Sequence, residues 1–283
     1  MPPRALRPAG LVLADKPPGP SSFAVVREHR DRTGARAGHA GTLDPFASGL
    51  LLVLLGAATR LARYLVGLDK RYLTEVDLTA RTATGDCEGA MVERREPLPA
   101  AELERALQRL RGEVELRVPA ASAVKVGGER AYRLARRGVE VEMPLRRSTV
   151  HALELVAYDG RVARLDLRVS SGTYVRALAD ALGGHCRTLR RTEVGPFHVA
   201  YADPKQVLPP AAALPFLPTV EVGEEGARAL RAGRPVSSPA RPVPGTGDGP
   251  GGPLRVRALD RGDLVAVVRA ERERLVPETV LPA

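Results

Sequence analysis

The stretch STVHALELVAYDGRVARLDLRVSSG, Ser148 to Gly172, carries two runs of strand-forming residues on either side of Asp159-Gly160. Asp-Gly between such runs suits a tight antiparallel turn, because glycine adopts positive φ without steric cost and aspartate tolerates it. The reading is a long hairpin, followed by a helix from about Tyr174 to Leu182. Long antiparallel strands with interspersed helices argue for an α+β fold with a largely antiparallel sheet, and against a doubly wound nucleotide-binding fold. No GxGxxG or GxxxxGK[ST] motif is present, so dinucleotide and triphosphate chemistry lack support.

Outward from the hairpin the same alternation continues. GLVLADK (Gly10 to Lys16) reads as a short strand ending in a Pro-Gly turn, with Ser21 or Ser22 capping a helix through about Arg32. LLLVLLG (Leu50 to Gly56) is a continuous apolar run of strand length, the mark of a strand covered on both faces. ATRLARYLVG reads as an amphipathic helix. RYLTEVDLTART reads as an alternating strand with Tyr72, Thr74, Val76 and Leu78 on one face. AAELERALQRLRGEV is an amphipathic helix closed by Gly112.

With 283 residues, 44% of them apolar, the chain has material for one large domain and a small one. The proline-rich LPPAAALPFLP reads as a linker, dividing a domain of residues 1–216 from one of residues 217–283. The first part holds 33 basic and 24 acidic residues and the second 10 and 9, so the net charge of +10 belongs almost wholly to the first. Only four of the 43 basic residues are lysine (16, 70, 125 and 205). Arginine makes forked phosphate contacts and stacks on bases, which points to nucleic acid; GC-rich codon usage or growth temperature would also favour it. Ser238 to Pro253, rich in glycine and proline, is expected to be a mobile loop. No apolar run is long enough for a membrane span and the amino end lacks a signal-peptide core, so a cytoplasmic location is expected. Cys87 and Cys186 lack the spacing of a disulfide framework or zinc site and read as small core residues.

The densest cluster of unusual residues is GHAGTLDPFASG, Gly38 to Gly49. Glycines and a proline around His39 and Asp44 make a tightly shaped loop in which backbone approaches a ligand closely. Asp44-Pro45 is also what a helix N-cap followed by proline at the first helical position looks like. SSGTYVRALADAL places Tyr174 and Arg176 at a helix start, where a cation opposes the helix dipole and calls for a specific carboxylate partner. Tyr72, beside Lys70 and Arg71, is a candidate on the neighbouring strand.

Six segments in order resemble the bacterial tRNA pseudouridine synthases of the TruB type. They are DKPPGPSSFAVV (Asp15 to Val26), GHAGTLDPFASGLLLVLLGAATR (Gly38 to Arg60), DKRYLTEVDLTARTATGD (Asp69 to Asp86), SAVKVGGERAYRLARRGVEV (Ser122 to Val141), SSGTYVRALADALG (Ser170 to Gly183) and LRRTEVGPF (Leu189 to Phe197). The match runs along roughly residues 10 to 200, and the last 67 residues resemble the family's small C-terminal PUA-like domain only loosely. PAASAVK (Pro119 to Lys125) and Ser21 depart from the usual pattern.

The resemblance implies a pseudouridine synthase fold and isomerisation of uridine 55 in the T arm of tRNA, without metal or other cofactor, by a cytoplasmic monomer. It implies that Asp44 is the nucleophile, that Arg176 pairs with it, and that Tyr72 stacks on the base and serves in proton transfer. It further implies that His39 fills the space left by the flipped base. Tyr174 and Leu189 are expected to wall the base pocket, and Lys16 belongs to a first block on the substrate side whose role is more structural than chemical. Two other readings stay open at this stage: an RNA-binding protein that helps tRNA fold, and a guide-RNA-dependent relative that modifies ribosomal RNA.

Overall fold

The Asp159-Gly160 hairpin forms, and its turn is held by the aspartate itself. Asp159 Oδ1 accepts from the backbone N–H of Arg161 (2.8 Å) and Val162 (2.7 Å), while Gly160 takes φ +91°. The structure is a computed structural model that describes residues 8–122, 124–137, 139, 141–237, 254–271 and 273–282. The Ser238 to Pro253 segment lies outside the described residues.

Strand β1 (Gly10–Lys16) turns through prolines into helix α1 (Ser22–Thr33), and β2 (Ala37–Ala40) leads through the glycine-rich loop to β3 (Ser48–Leu55). A 3-10 stretch (Gly56–Leu61) and a single turn α2 (Ala62–Leu65) precede β4 (Lys70–Asp77). The short hairpin β5 (Ala80–Thr82) and β6 (Met91–Arg94) comes next, then α3 (Ala100–Arg109) and β7 (Gly112–Arg117). A second short hairpin, β8 (Lys125–Val126) and β9 (Glu129–Arg130), runs into α4 (Ala131–Arg136). The long pair β10 (Leu145–Tyr158) and β11 (Val162–Val169) is followed by α5 (Val175–Ala181), β12 (His185–Val194) and β13 (Phe197–His198). The remainder forms β14 (Thr219–Glu221), α6 (Gly223–Arg231), β15 (Val236–Ser237), β16 (Arg255–Asp260), β17 (Asp263–Glu271) and β18 (Arg274–Val280).

The main sheet runs β1-β3-β12-β4-β11-β10-β7, with β2 on β3 and β13 on β12. Its pairings are antiparallel except where β12 meets β3, so the sheet is mixed but largely antiparallel, the expected α+β class. The second sheet, β14-β16-β17-β18-β15, carries α6.

β3 explains its own composition. Leu51, Val53 and Leu55 pack with Val25 and Val26 of α1, whereas Leu50, Leu52 and Leu54 pack with Leu61, Leu65 and, from the second sheet, Leu264 and Val267. Alternate side chains thus enter two different cores, and every residue from Leu50 to Leu55 is fully buried. Further along the sheet, Tyr72, Val76, Leu165 and Leu167 face Leu103 and Leu107 of α3 and Leu178 of α5.

Three local expectations are corrected. ATRLARYLVG forms a 3-10 stretch with only one α-helical turn, closed by Lys70, whose buried ammonium donates to the carbonyls of Val66 and Leu68. The LPPAAALPFLP stretch, read as a linker, is packed into the core. Leu208 exchanges backbone hydrogen bonds with Leu11, and Ala213, Leu214 and Leu217 are buried between the two sheets because their apolar side chains complete the core there. Arg257 of β16 fixes the same stretch by donating to the carbonyls of Leu217 and Ala211, each at 2.9 Å. Cys186 is a core residue, its thiol pushed up to about 12 by burial, but Cys87 lies exposed after the turn that carries Asp86.

Among the described residues, no helix is long and apolar enough to cross a membrane.

Gly49 is a point of close backbone approach in the main sheet. It takes φ +105°, and a Cβ there would collide with the backbone of Arg191 on β12. Gly49→Ala is expected to destabilise the protein by about 1–3 kcal/mol or more, read as a lowered midpoint of thermal unfolding.

Candidate active site

Asp44 lies between β2 and β3, in a loop that is neither helix nor strand. The N-cap alternative for Asp44-Pro45 is therefore excluded: no helix follows, and Pro45 sits in a bend whose carbonyl accepts from Gly19 N–H at 2.8 Å. The loop depends on hydrogen bonds from elsewhere in the chain. Lys16 Nζ donates to Pro17 O (2.8 Å), Pro20 O (2.8 Å) and Pro45 O (3.1 Å). Arg191 donates through Nη2 to Gly41 O (3.0 Å) and through Nε to Leu50 O (2.8 Å), at opposite ends of the loop.

Arg176 occupies the first turn of α5 and is 2% exposed. Its Nε donates to Asp44 Oδ2 at 2.9 Å and its Nη2 to Asp44 Oδ1 at 3.2 Å, a forked pair that fixes the plane of the carboxylate. Its remaining hydrogens reach Thr84 O (2.7 Å) and Ala121 O (2.9 Å), and Nη1 stands 3.4 Å from Asp86 Oδ2. A cation at a helix start is unfavourable with the dipole, and here two carboxylates offset it. The pair is one-sided: the guanidinium is buried, whereas the Asp44 side chain keeps 34% of its surface open. A carboxylate held rigidly from behind and open in front can approach an electrophilic carbon.

The apolar surroundings of this pair come from residues far apart in sequence. Tyr72 on β4, with Arg191 opposite it across β12, shares one cluster with Leu43, Phe46 and Ala47 of the Asp44 loop and with Leu189 and Val175. The structure thus places Tyr72 and Leu189 in the same apolar cluster as the Asp44 loop. Tyr174, the N-cap of α5, is partly exposed and packs instead toward Val118, Ala131 and Met143.

His39 sits in β2 opposite Val53, with Nδ1 buried and without a hydrogen-bond partner. Burial, and next the charge of Arg191, hold its pKa below the ordinary imidazole value, so the ring is neutral at neutral pH. Lys16 is fully buried and donates to three carbonyls, so in this structure it props the loop. Burial lowers its pKa, while the nearby negative charge of Asp44 works in the opposite direction.

Asp86, Arg191 and Ser22 were not singled out by sequence as site residues. Asp86 Oδ1 accepts from Thr84 Oγ1 at 2.6 Å, which orders the turn whose carbonyl receives Arg176. A signal for Arg191 was present: of two adjacent arginines on a strand, one must face inward. Arg190 pairs with exposed Asp15, and Arg191 is the one inside.

A family model described as TruB family pseudouridylate synthase (N terminal domain) matches residues 29–175. The chain belongs to this family. The tRNA pseudouridine synthase B of Leifsonia xyli subsp. xyli is 43% identical over 239 residues, 79% of this chain and 78% of that protein. The tRNA pseudouridine synthase B of Geobacillus kaustophilus is 38% identical over 261 residues, 82% and 92% of the two chains. Among solved structures, a chain of a Cbf5-Nop10-Gar1 complex superposes with a TM-score of 0.72 at 26% identity, covering 96% of this chain and 84% of that one. A chain from an H/ACA RNP bound to a substrate RNA containing 2'-deoxyuridine gives 0.71 at 24% identity, over 97% and 85%, a likeness of fold. The TruB-family enzyme is thus an isomerase with a pseudouridine synthase fold, and its second sheet is the small PUA-like β domain.

In this TruB-family site Arg176 is the group on which both carboxylates rely. Arg176→Met strands Asp86 in a buried position and is expected to cost about 3–5 kcal/mol of stability, measured by urea unfolding at neutral pH.

Proposed function

We propose that the chain isomerises uridine 55 in the T arm of tRNA to pseudouridine, acting as a monomer with Asp44 as the reacting carboxylate. The observation that carries this reading is the open Asp44 carboxylate, fixed by a buried forked arginine, with Tyr72 in the apolar cluster that includes its loop. The names of the relatives, tRNA pseudouridine synthase B, support the choice of tRNA.

The reaction breaks the bond between uracil N1 and ribose C1′ and rejoins C1′ to C5; N1 gains a proton and C5 loses one. Positive charge develops at C1′ as the first bond breaks. A carboxylate there attacks the carbon or stabilises that charge, as in glycoside cleavage. Packing a base against the carboxylate removes water and disfavours its charge, and the Arg176 guanidinium counters that loss. Tyr72 offers a ring for stacking and a hydroxyl for moving the proton. Leu189 bounds the base.

The uridine must leave its stack to reach Asp44. Neutral His39, short of one hydrogen-bond partner, takes the place of the displaced base at no ionic cost. The basic excess of residues 1–216 supplies general attraction to the phosphate backbone.

Asp44→Asn keeps the size of the side chain and removes its charge. Pseudouridine formation on an unmodified tRNA transcript is expected to fall roughly a thousandfold or more, while tRNA binding persists. Full activity of this variant would remove Asp44 from the mechanism. Absence of activity from the purified wild-type chain would point to a guide-dependent relative, and binding without turnover to a folding chaperone.

With about six phosphate contacts, tRNA affinity is expected to drop by roughly a thousandfold between about 50 and 200 mM salt. A filter-binding salt titration measures this directly, and a flat dependence would assign the affinity to shape and stacking.

A further inference from the structure

We propose that Ser22 is a positioning residue for this reaction, its hydroxyl setting where the Asp44 carboxylate stands, with Arg191 as a second hold on the same loop. The inference rests on the reading of Asp44 as the reacting carboxylate.

Leu43, the residue before Asp44, has no strand or helix partner for its backbone. Both of its polar groups meet one side chain. Ser22 Oγ donates to Leu43 O at 3.0 Å and accepts from Leu43 N–H at 2.8 Å. A hydroxyl can do both at once, since it carries one hydrogen and free lone pairs.

Ser22 is 2% exposed, so it is closed off from a bound RNA. Nor is it needed as the helix cap, because Ser21 is the N-cap of α1 and accepts from Ala24 N–H at 3.2 Å. The two adjacent serines therefore divide the work: Ser21 starts the helix and Ser22 ties that helix to the loop.

The other holds lie on either side. Arg191, 1% exposed, donates to Gly41 O at 3.0 Å and Thr42 O at 3.4 Å, ahead of Leu43. Gly19 N–H and Lys16 Nζ meet Pro45 O just after Asp44. Arg176 fixes the carboxylate, but the carboxylate hangs from a backbone whose position these bonds define. Loss of the Ser22 hydroxyl leaves the N–H and C=O of Leu43 buried without partners, which favours a shifted loop. A shift of about 1 Å at a reacting group is enough to slow a reaction up to roughly a hundredfold.

The test is single-turnover pseudouridine formation, tRNA Kd and thermal midpoint for Ser22→Ala and Arg191→Lys, beside Asp44→Asn. Ser22→Ala is expected to slow turnover roughly tenfold to a hundredfold while tRNA Kd stays within about twofold, the split that distinguishes misplacement from lost binding or lost fold. A wild-type rate for Ser22→Ala, with Asp44→Asn inactive, overturns the proposal and leaves the assignment of Asp44 standing. An active Asp44→Asn overturns the assignment itself. Should Ser22→Ala fail to fold, Arg191→Lys decides. It keeps the charge but not the fork, and a slowed rate at unchanged Kd supports the clamp while a wild-type rate overturns it.

Discussion

A guanidinium out of water is stable only where hydrogen-bond acceptors and opposite charge surround it, and Arg176 imposes that demand on three separate segments. Asp44 comes from the loop before β3, Thr84 and Asp86 from the turn after β5, and Ala121 from the segment after β7, while the arginine rides on α5. None of these segments is a neighbour of another in sequence. Their convergence on one side chain makes the site a property of the whole main sheet. It also explains why an irregular loop can hold the Asp44 carboxylate in a fixed place: its freedom is removed by bonds to buried side chains and not by a ladder of its own.

Burial works in the opposite sense on β3. This strand lies between two cores and has no solvent-facing side, so it supplies a stiff floor directly after the loop. Arg191 links the two, with one donor on Leu50 of the strand and others on the loop. Stiffness from the core thereby reaches the Asp44 loop through backbone carbonyls.

Much of this was legible in the sequence because it follows from local rules. The continuous apolar run of Leu50 to Leu55, the Asp159-Gly160 turn and the alternation through Tyr72, Thr74 and Val76 each announce their elements. The unfavourable place of Arg176 at a helix start announced a carboxylate partner. What stayed hidden depends on contacts distant in the chain. Nothing near Lys16 reveals that three carbonyls will absorb its ammonium, and nothing near Ser22 shows that its hydroxyl serves a loop 21 residues away. The proline-rich stretch reads as a linker because proline breaks regular structure, yet Ala213, Leu214 and Leu217 needed only an apolar neighbour to become core. Arg176 and Asp86 likewise needed the fold before they could meet.

The shared core between the sheets has a consequence for how the chain acquires its structure. Leu11 and Leu13 from the first strand sit in one cluster with Leu264, Val267 and Leu281. Arg60 donates to Val280 O at 2.7 Å and Tyr64 bonds to Thr279 at 2.7 Å, so the seam is polar at its rim as well. Closing contacts over such long stretches of chain is entropically slow. During synthesis this shared core stays incomplete until Leu264, Val267 and Leu281 emerge from the ribosome. The seam between the sheets is therefore among the last parts of the core to close.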